Sequence, residues 1–206
     1  MSISIKLTET IGNIEKKILR AIVDEANGTF LKSVAKAKEP IKVIIRSALE
    51  SSPEISSING GKLRGDFGIP IGKDVTTPIV NAIAGSVTFM SQKFSIRGKK
   101  ISGGVTVSVQ PTSFVNLSSL GITETEKAGN IPWLQWLLTA GDSIIIADFG
   151  VDYGPYGRSG MAKMTVKRRP FKVDSAFSGT PENNFITRAL ESKGDDIQKA
   201  IVRSLS

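Results

Sequence analysis

The sequence predicts an α+β domain, with helices at both ends of the chain and strands between them. Three patterns support this. Apolar residues of the first fifty positions recur at steps of three and four, which is typical of amphipathic helices. From Gly85 onward they alternate with polar residues, as in strands, and the last 25 residues return to helical spacing. Because the two periods occupy separate stretches, we expect a central, mostly antiparallel β-sheet packed by long N-terminal and C-terminal helices, with protruding hairpin and loop arms.

Residues 1–51 are predicted to form the N-terminal helical part. Ile11, Ile14, Ile18 and Ile22 make one apolar stripe. We expect Asn27-Gly28 to break or cap this helix and Pro40 to kink or restart it.

A turn-rich loop is expected over 51–61, because it contains Pro53 and Gly60-Gly61. A short helix is predicted over 62–67. Thr77 and Pro78 are typical of the cap and first turn of a second small helix that ends near Ile83.

Residues 85–173 are predicted to form the sheet with its hairpins. Val105, Val107 and Val109 alternate most clearly, and Gly98 marks a turn before them. Residues 121–129 are the loop most expected to be flexible.

A short helix is predicted over 132–138, capped by Asn130. A strand over 143–149 is expected to pair with one over 161–168, around a turn at 154–160. The C-terminal helix is predicted to begin at Pro181, capped by Thr180, and to run to about Leu205 with a bend at Gly194.

Composition excludes much chemistry. The chain has 206 residues, a formal charge of +8, and neither cysteine nor histidine. Disulfides, thiolate nucleophiles, cysteine-bound zinc and imidazole bases are therefore excluded, which leaves carboxylates, lysine and carboxylate-bound magnesium or calcium. We expect a protein that is not an enzyme and needs no cofactor.

The first seventeen residues mix charged with apolar side chains, unlike a signal peptide, and no window is apolar enough to cross a bilayer. We therefore expect a soluble protein made in a cytoplasm, with no membrane partner.

Positive charge is concentrated in two stretches that we predict to be hairpins. Ordinary solvated charge is the favoured interpretation; contact with an acidic neighbour in an assembly, or with nucleic acid, stays open. The stretches comprise Lys93, Arg97, Lys99 and Lys100, and then Lys163, Lys167, Arg168, Arg169 and Lys172.

The short motifs with known chemistry lack their necessary context. Asp-Phe-Gly occurs at Asp66 and at Asp148, without the other kinase elements. Asp148 and Asp152 would lie about 13 Å apart on a strand, too far for a glycosidase pair. Gly60-Gly61-Lys62 lacks the spacing and the terminal Ser or Thr of a phosphate loop.

Trp133 and Trp136 are three positions apart on a predicted helix, so they face the same way. They could pack over the sheet or form an exposed stripe for a partner.

Three blocks, residues 61–69, 149–162 and 178–190, resemble the neck and tail-completion (head–tail joining) proteins of tailed bacteriophages. In that family a long helix precedes a Gly-x-Leu-Arg segment, a central sheet follows, and a Gly-Thr element leads into a terminal helix. The resemblance spans residues 1–206 as one domain, with 180–206 as the C-terminal helix. The family-like positions are Gly61, Leu63, Arg64, Phe67, Gly179, Thr180, Phe185, Arg188 and Leu190.

This resemblance implies a structural virion protein whose ring joins the head to the tail and lines the DNA passage. Implied partners are further copies of the chain, in a hexamer or dodecamer, and portal, adaptor, terminator, tube or sheath proteins, with non-specific contact to passing DNA. A loop after Ser52-Pro53 replaces the usual segment before Leu-Arg, so a tail terminator capping the tube or sheath stays open. A basic nucleic-acid-binding module and a carboxylate-dependent hydrolase are the remaining alternatives. The expected interface residues are the first basic stretch, both tryptophans, and Lys167, Arg168 and Arg169.

Overall fold

The first helix, α1, is continuous from Ile11 to Glu50 in the computed structural model, which describes residues 9–109, 117–125, 129–166 and 169–205. The expected break at Gly28 and the restart at Pro40 are wrong. Glycine and proline cost about 1 and 3 kcal/mol inside a helix. A buried stripe passes both positions, and this packing outweighs their local preferences: Val23, Phe30, Val34, Ala37, Ile41 and Ile45.

Three short helices follow: α2 (Pro53–Gly60), α3 (Lys62–Asp66) and α4 (Thr76–Gly85). The predicted loop over 51–61 is therefore wrong, because Ser52 caps α2 and Pro53 occupies its first turn. The helix predicted over 62–67 is confirmed as α3. Asp74, rather than Thr77, accepts hydrogen bonds from the first backbone N–H groups of α4.

The strands form antiparallel hairpins. β1 (Val87–Arg97) pairs with β2 (Lys100–Val109) around Gly98, at a φ of 64°. β3 (Thr123–Thr125) pairs with β4 (Gly129–Ile131), across a stretch predicted to be a flexible loop whose residues 126–128 lie outside the described ranges.

A third hairpin joins β5 (Phe149–Tyr153) to β6 (Ala162–Val166). The strand expected over 143–149 begins only at Phe149; before it, Ile146 forms a single bridge to Phe171. Within the described ranges, the antiparallel strands make three two-stranded sheets rather than one central sheet.

The C-terminal part contains α5 (Trp133–Thr139), α6 (Phe185–Ser192) and α7 (Gly194–Leu205). α5 confirms the predicted helix over 132–138, although Pro132 rather than Asn130 precedes it. The start predicted at Pro181 is wrong, because Asn184 and Thr187 form a reciprocal capping box that sets the start at Phe185. The bend expected at Gly194 is a break between two helices.

One hydrophobic core joins the second half of α1 to the helices that follow it. Trp133, Phe67 and Phe185 are its largest fully buried side chains. The α+β class, with terminal helices and antiparallel strands, is confirmed. None of the helices in the described ranges combines the length and the apolar character that a membrane span requires.

Candidate functional site

The β1–β2 hairpin lies along the first half of α1. We call this unit the arm (residues 9–34 and 90–106), and the other described residues the scaffold. Lys99 of the hairpin turn lies 3.8 Å from Glu15. Further along, the Lys38 ammonium lies 5.7 Å from the centre of the Phe89 ring. Helix and strand therefore run in opposite directions, over ~35 Å of helix and ~33 Å of strand.

Asn27 holds the middle of the arm together. Its side-chain amide donates to the carbonyl of Phe94 at 3.0 Å and accepts from the N–H of Phe94 at 2.8 Å. The Phe94 ring lies 4.7 Å from that of Phe30. The register of the β1–β2 pairing shifts between Gln92 and Ser95. Asn27 therefore binds the β1 backbone to the helix at the point where the β1–β2 ladder is irregular.

The hairpin end of the arm is basic. Lys93, Arg97, Lys99 and Lys100 are all exposed, and residues 87–109 contain no carboxylate. Arg97 and Lys100 are direct register partners. Like charges on paired strand positions repel each other, so the binding of an anionic group would relieve this repulsion.

The helix of the arm carries an apolar stripe that no described element covers. Of the predicted stripe, Ile11, Ile18 and Ile22 are 72%, 55% and 48% exposed, and Ile14 is half-buried. The hairpin covers a different face of the helix, the face that carries Val23, Phe30 and Val34. The arm therefore presents an apolar stripe and a cationic tip within one elongated unit.

The two tryptophans belong to the scaffold. Trp133 is fully buried and stacks on Phe67, with ring centres 5.5 Å apart. Trp136 is half-buried, 6.1 Å from the ring of Phe171. An exposed tryptophan stripe is therefore wrong for Trp133, because the helix turns it into the core, and the packing interpretation holds for it.

The second basic stretch borders a cleft of about 520 Å³ beside the β5–β6 hairpin. Arg169 and Lys172 lie on its rim, whereas Lys167 and Arg168 fall outside the described residues. Lys163 instead packs its ammonium 4.5 Å from the centre of the Tyr156 ring. The described residues of the second basic stretch therefore lie in two different places, the rim of the cleft and the ring of Tyr156.

The floor of this cleft is a closed network around Asp66, whose side chain is 1% exposed. Asp66 accepts hydrogen bonds from the hydroxyl of Tyr153 and, at 2.7 Å, from Lys62. Burial of Tyr153, and then its bond to Asp66, raise the pKa of the phenol. Burial lowers the pKa of Lys62, but bonds to Asp66 and Tyr153 outweigh burial and raise it.

Tyr153 and Lys62 are both stabilised in the protonated state that they already have at neutral pH. Asp66 is occupied by two donors, so the geometry does not favour it as a general base. No group of three or more potential metal-ligating His, Cys, Asp or Glu residues occurs in the described ranges. The network instead fastens α3 to the β5–β6 hairpin.

The family-like residues are also structural. Arg64 is buried, and its guanidinium donates to Asn59 O at 2.9 Å and Lys73 O at 3.1 Å. Asn59 lies in the last turn of α2, whose negative dipole end stabilises the cation. Arg188 of the third block pairs at 2.6 Å with Glu54, a buried carboxylate in the first turn of α2.

Glycines of these blocks permit close packing. A Cβ on Gly179 would lie 2.7 Å from the Cβ of Asn184, and one on Gly61 would lie 2.9 Å from the Cα of Ser57. Leu63, Phe67 and Phe185 are buried, Leu190 is half-buried, and Thr180 is exposed at the turn before α6.

No family model, curated protein or solved structure matches this chain. The arm, the scaffold and the motif resemblance therefore carry the functional evidence.

Sequence reasoning found the basic tip, because clustered lysine and arginine in a predicted hairpin are visible in the chain. It missed Asn27, which it interpreted as a break or cap, because its partner Phe94 is 67 positions away. It also missed Tyr153 and Glu54. A polar residue in the first turn after a Ser-Pro cap was the available signal for Glu54.

Proposed function

We propose that the chain is a structural virion protein that forms a ring in the neck of a tailed phage, between head and tail. It assembles in the host cytoplasm, acts without catalysis or a cofactor, and lines the DNA passage. Its partners are further copies of itself, in a hexamer or dodecamer, and the portal, adaptor or tail proteins on either side.

The observation that carries the proposal is the division between scaffold and arm. The blocks that resemble the neck family build the scaffold around one buried core, whereas the arm, which extends from that core, leaves Ile11, Ile18 and Ile22 exposed beside a cationic tip. A cyclic ring needs two different faces on each subunit, which meet head to tail. The arm and the scaffold supply two such faces.

The mass of the purified protein and its appearance by electron microscopy test this function. We expect a closed ring whose channel admits duplex DNA. A strict monomer that binds no portal, adaptor, tube or sheath protein contradicts it. Binding to tube or sheath proteins alone would favour the tail-terminator alternative, and binding to portal or adaptor would favour the connector.

A nucleic-acid-binding module is the second candidate, favoured by four cations without a carboxylate on the β1–β2 hairpin. DNA affinity should then fall steeply with salt. Replacing Arg97, Lys99 and Lys100 with glutamate should reduce the slope of log affinity against log salt by about 3, at roughly 0.9 for each phosphate that the protein no longer neutralises.

The same change at Lys167, Arg168 and Arg169 tests the second stretch. The control replaces Lys36, Lys199 and Arg203, three exposed residues outside both stretches, with glutamate, and so lowers the net charge by the same six units. Undiminished binding by both triple variants would exclude the basic stretches as the DNA contact.

A further inference from the structure

An apolar groove of about 470 Å³ lies between β2 and α7. Val202 on its α7 side is 55% exposed, although it is aliphatic. No described segment of the chain covers the groove. Its aliphatic lining is Val105 and Val107 from β2, Leu190 from α6, and Ile197, Ile201 and Val202 from α7.

The strand that borders this groove has an open edge. Among the described residues β2 pairs only with β1, so the other side of β2 presents backbone N–H and C=O groups. A strand added there would place every second side chain on the same face as Val105 and Val107. Those side chains would lie over the groove. The edge and the groove together fit a strand with one apolar face.

Residues 1–8 have this pattern. Met1, Ile3, Ile5 and Leu7 are apolar and alternate without exception with Ser2, Ser4, Lys6 and Thr8. Alternation with period two is typical of a strand with one covered face. Two residues separate the stretch from α1, which begins at Ile11.

Residues 1–8 cannot reach the groove of their own copy. They span at most ~29 Å when fully extended. The groove lies beside the second half of α1, since α7 borders Lys36 and Pro40 across a neighbouring cavity. From Thr10 to Lys36 the helix rises ~39 Å. A second copy of the chain must supply the segment.

We propose that residues 1–8 of one copy add as a strand to the β2 edge of a neighbouring copy, with Ile3, Ile5 and Leu7 filling the β2–α7 groove. The contact rests on the proposed function, in that it requires a second copy beside the first. It joins a segment at one end of the arm to the base of the next arm. Such a contact is heterologous, so it can close a ring.

Engineered disulfides test this contact directly, because the chain has no cysteine. Ile5→Cys and Val202→Cys are introduced together, and the oxidised protein is separated on a non-reducing gel. A contact between copies gives a ladder of cross-linked species. Mixing the two single variants should give a cross-linked dimer only. Lys6→Cys with Val202→Cys is the matched control: in the proposed strand Lys6 would point away from the groove, so this pair should cross-link at least ten-fold less.

Association provides the second measurement. Ile3→Asp with Ile5→Asp should convert the assembled protein to monomers, whereas Ser2→Asp with Ser4→Asp, on the other face, should leave it assembled. Neither variant changes a core residue of the described chain, so circular dichroism should be unchanged in both.

The outcomes separate this contact from the ring. A ring that persists in the Ile3/Ile5 variant, or a cross-link only within one chain, overturns the contact and leaves the ring. Ile5–Val202 cross-links in an assembly that is not a ring support the contact and overturn the ring. A monomeric wild-type protein without cross-links overturns both.

Discussion

The two halves of α1 carry the same residue type in opposite surroundings. Ile41 and Ile45 are completely buried in the scaffold, whereas Ile18 and Ile22, with the same helical spacing, are 55% and 48% exposed in the arm. In the scaffold, α1 is packed by α4, α6 and α7; in the arm, one hairpin covers one face of it. Apolar spacing therefore predicts the helix, but the number of covering elements determines which apolar stripe is buried.

The scaffold and the arm also differ in the contacts that stabilise them. The scaffold is held by large buried side chains that meet in one core. In the arm, an aromatic pair, an amide clamp, an exposed ion pair and a few covered apolar side chains join the hairpin to α1. Segments with few buried apolar contacts open more easily than the core, so we expect the arm to open without the scaffold.

The largest expected effect comes from the scaffold. Trp133→Ala should lower the free energy of unfolding by about 3–5 kcal/mol, because it removes a fully buried ring that stacks on Phe67. The denaturation midpoint in urea measures it. If that variant does not fold, Ile83→Val, also fully buried, should cost about 0.5–1.5 kcal/mol. Ile18→Ala, in the arm, should stay within about 0.5 kcal/mol. Equal losses in arm and scaffold would contradict the division.

Much of the scaffold could be predicted from the chain because its signals are local. Residues within one short stretch predicted each of the helices α3 and α5. Alternation of apolar and polar residues on both sides of Gly98 predicted the strands β1 and β2. The continuity of α1 through Gly28 and Pro40 could not be predicted, since it depends on packing against distant elements. Nor could the division into three two-stranded sheets, because hairpin signals specify a partner strand but not whether hairpins join.

The candidate site divides in the same way. The basic tip is a cluster in sequence and could be predicted, although Lys167 and Arg168 of the second stretch lie outside the described residues. The clamp at Asn27 is a contact between positions far apart in the chain, and an Asn-Gly pair is more typical of a turn than of a helix that holds a strand.

A medium effect is expected from pH. Tyr153 and Lys62 have pKa values raised above their ordinary ones, so the folded chain binds these protons more tightly than the unfolded chain. Their contribution is present at neutral pH and is lost as pH rises above about 10. The free energy of unfolding should fall from about pH 10 upward, and less steeply in Tyr153→Phe, which also loses ~1 kcal/mol at pH 7. Urea denaturation at several pH values measures it. In Lys99→Met, in the arm, the free energy of unfolding should change with pH as in the wild type. If this variant weakens the pH dependence instead, the scaffold network is not the source of that dependence.

The smallest effect on global stability is expected at Asn27, where the arm alone should respond. Asn27→Ala leaves the half-buried N–H and C=O of Phe94 without their partner, at a local cost of about 1.5 kcal/mol. The Phe94 amide should then exchange hydrogen roughly ten-fold faster, because that cost corresponds to about a ten-fold larger open population. Thr29→Ala, which removes bonds made only within α1, is the matched control and should leave the exchange of the Phe94 amide unchanged.

The exchange of amides in α4 should be unaffected in both variants. If α4 exchanged faster to the same degree as Phe94, arm and scaffold would open as one cooperative unit, and the exposed isoleucines would belong to a surface as stable as the core.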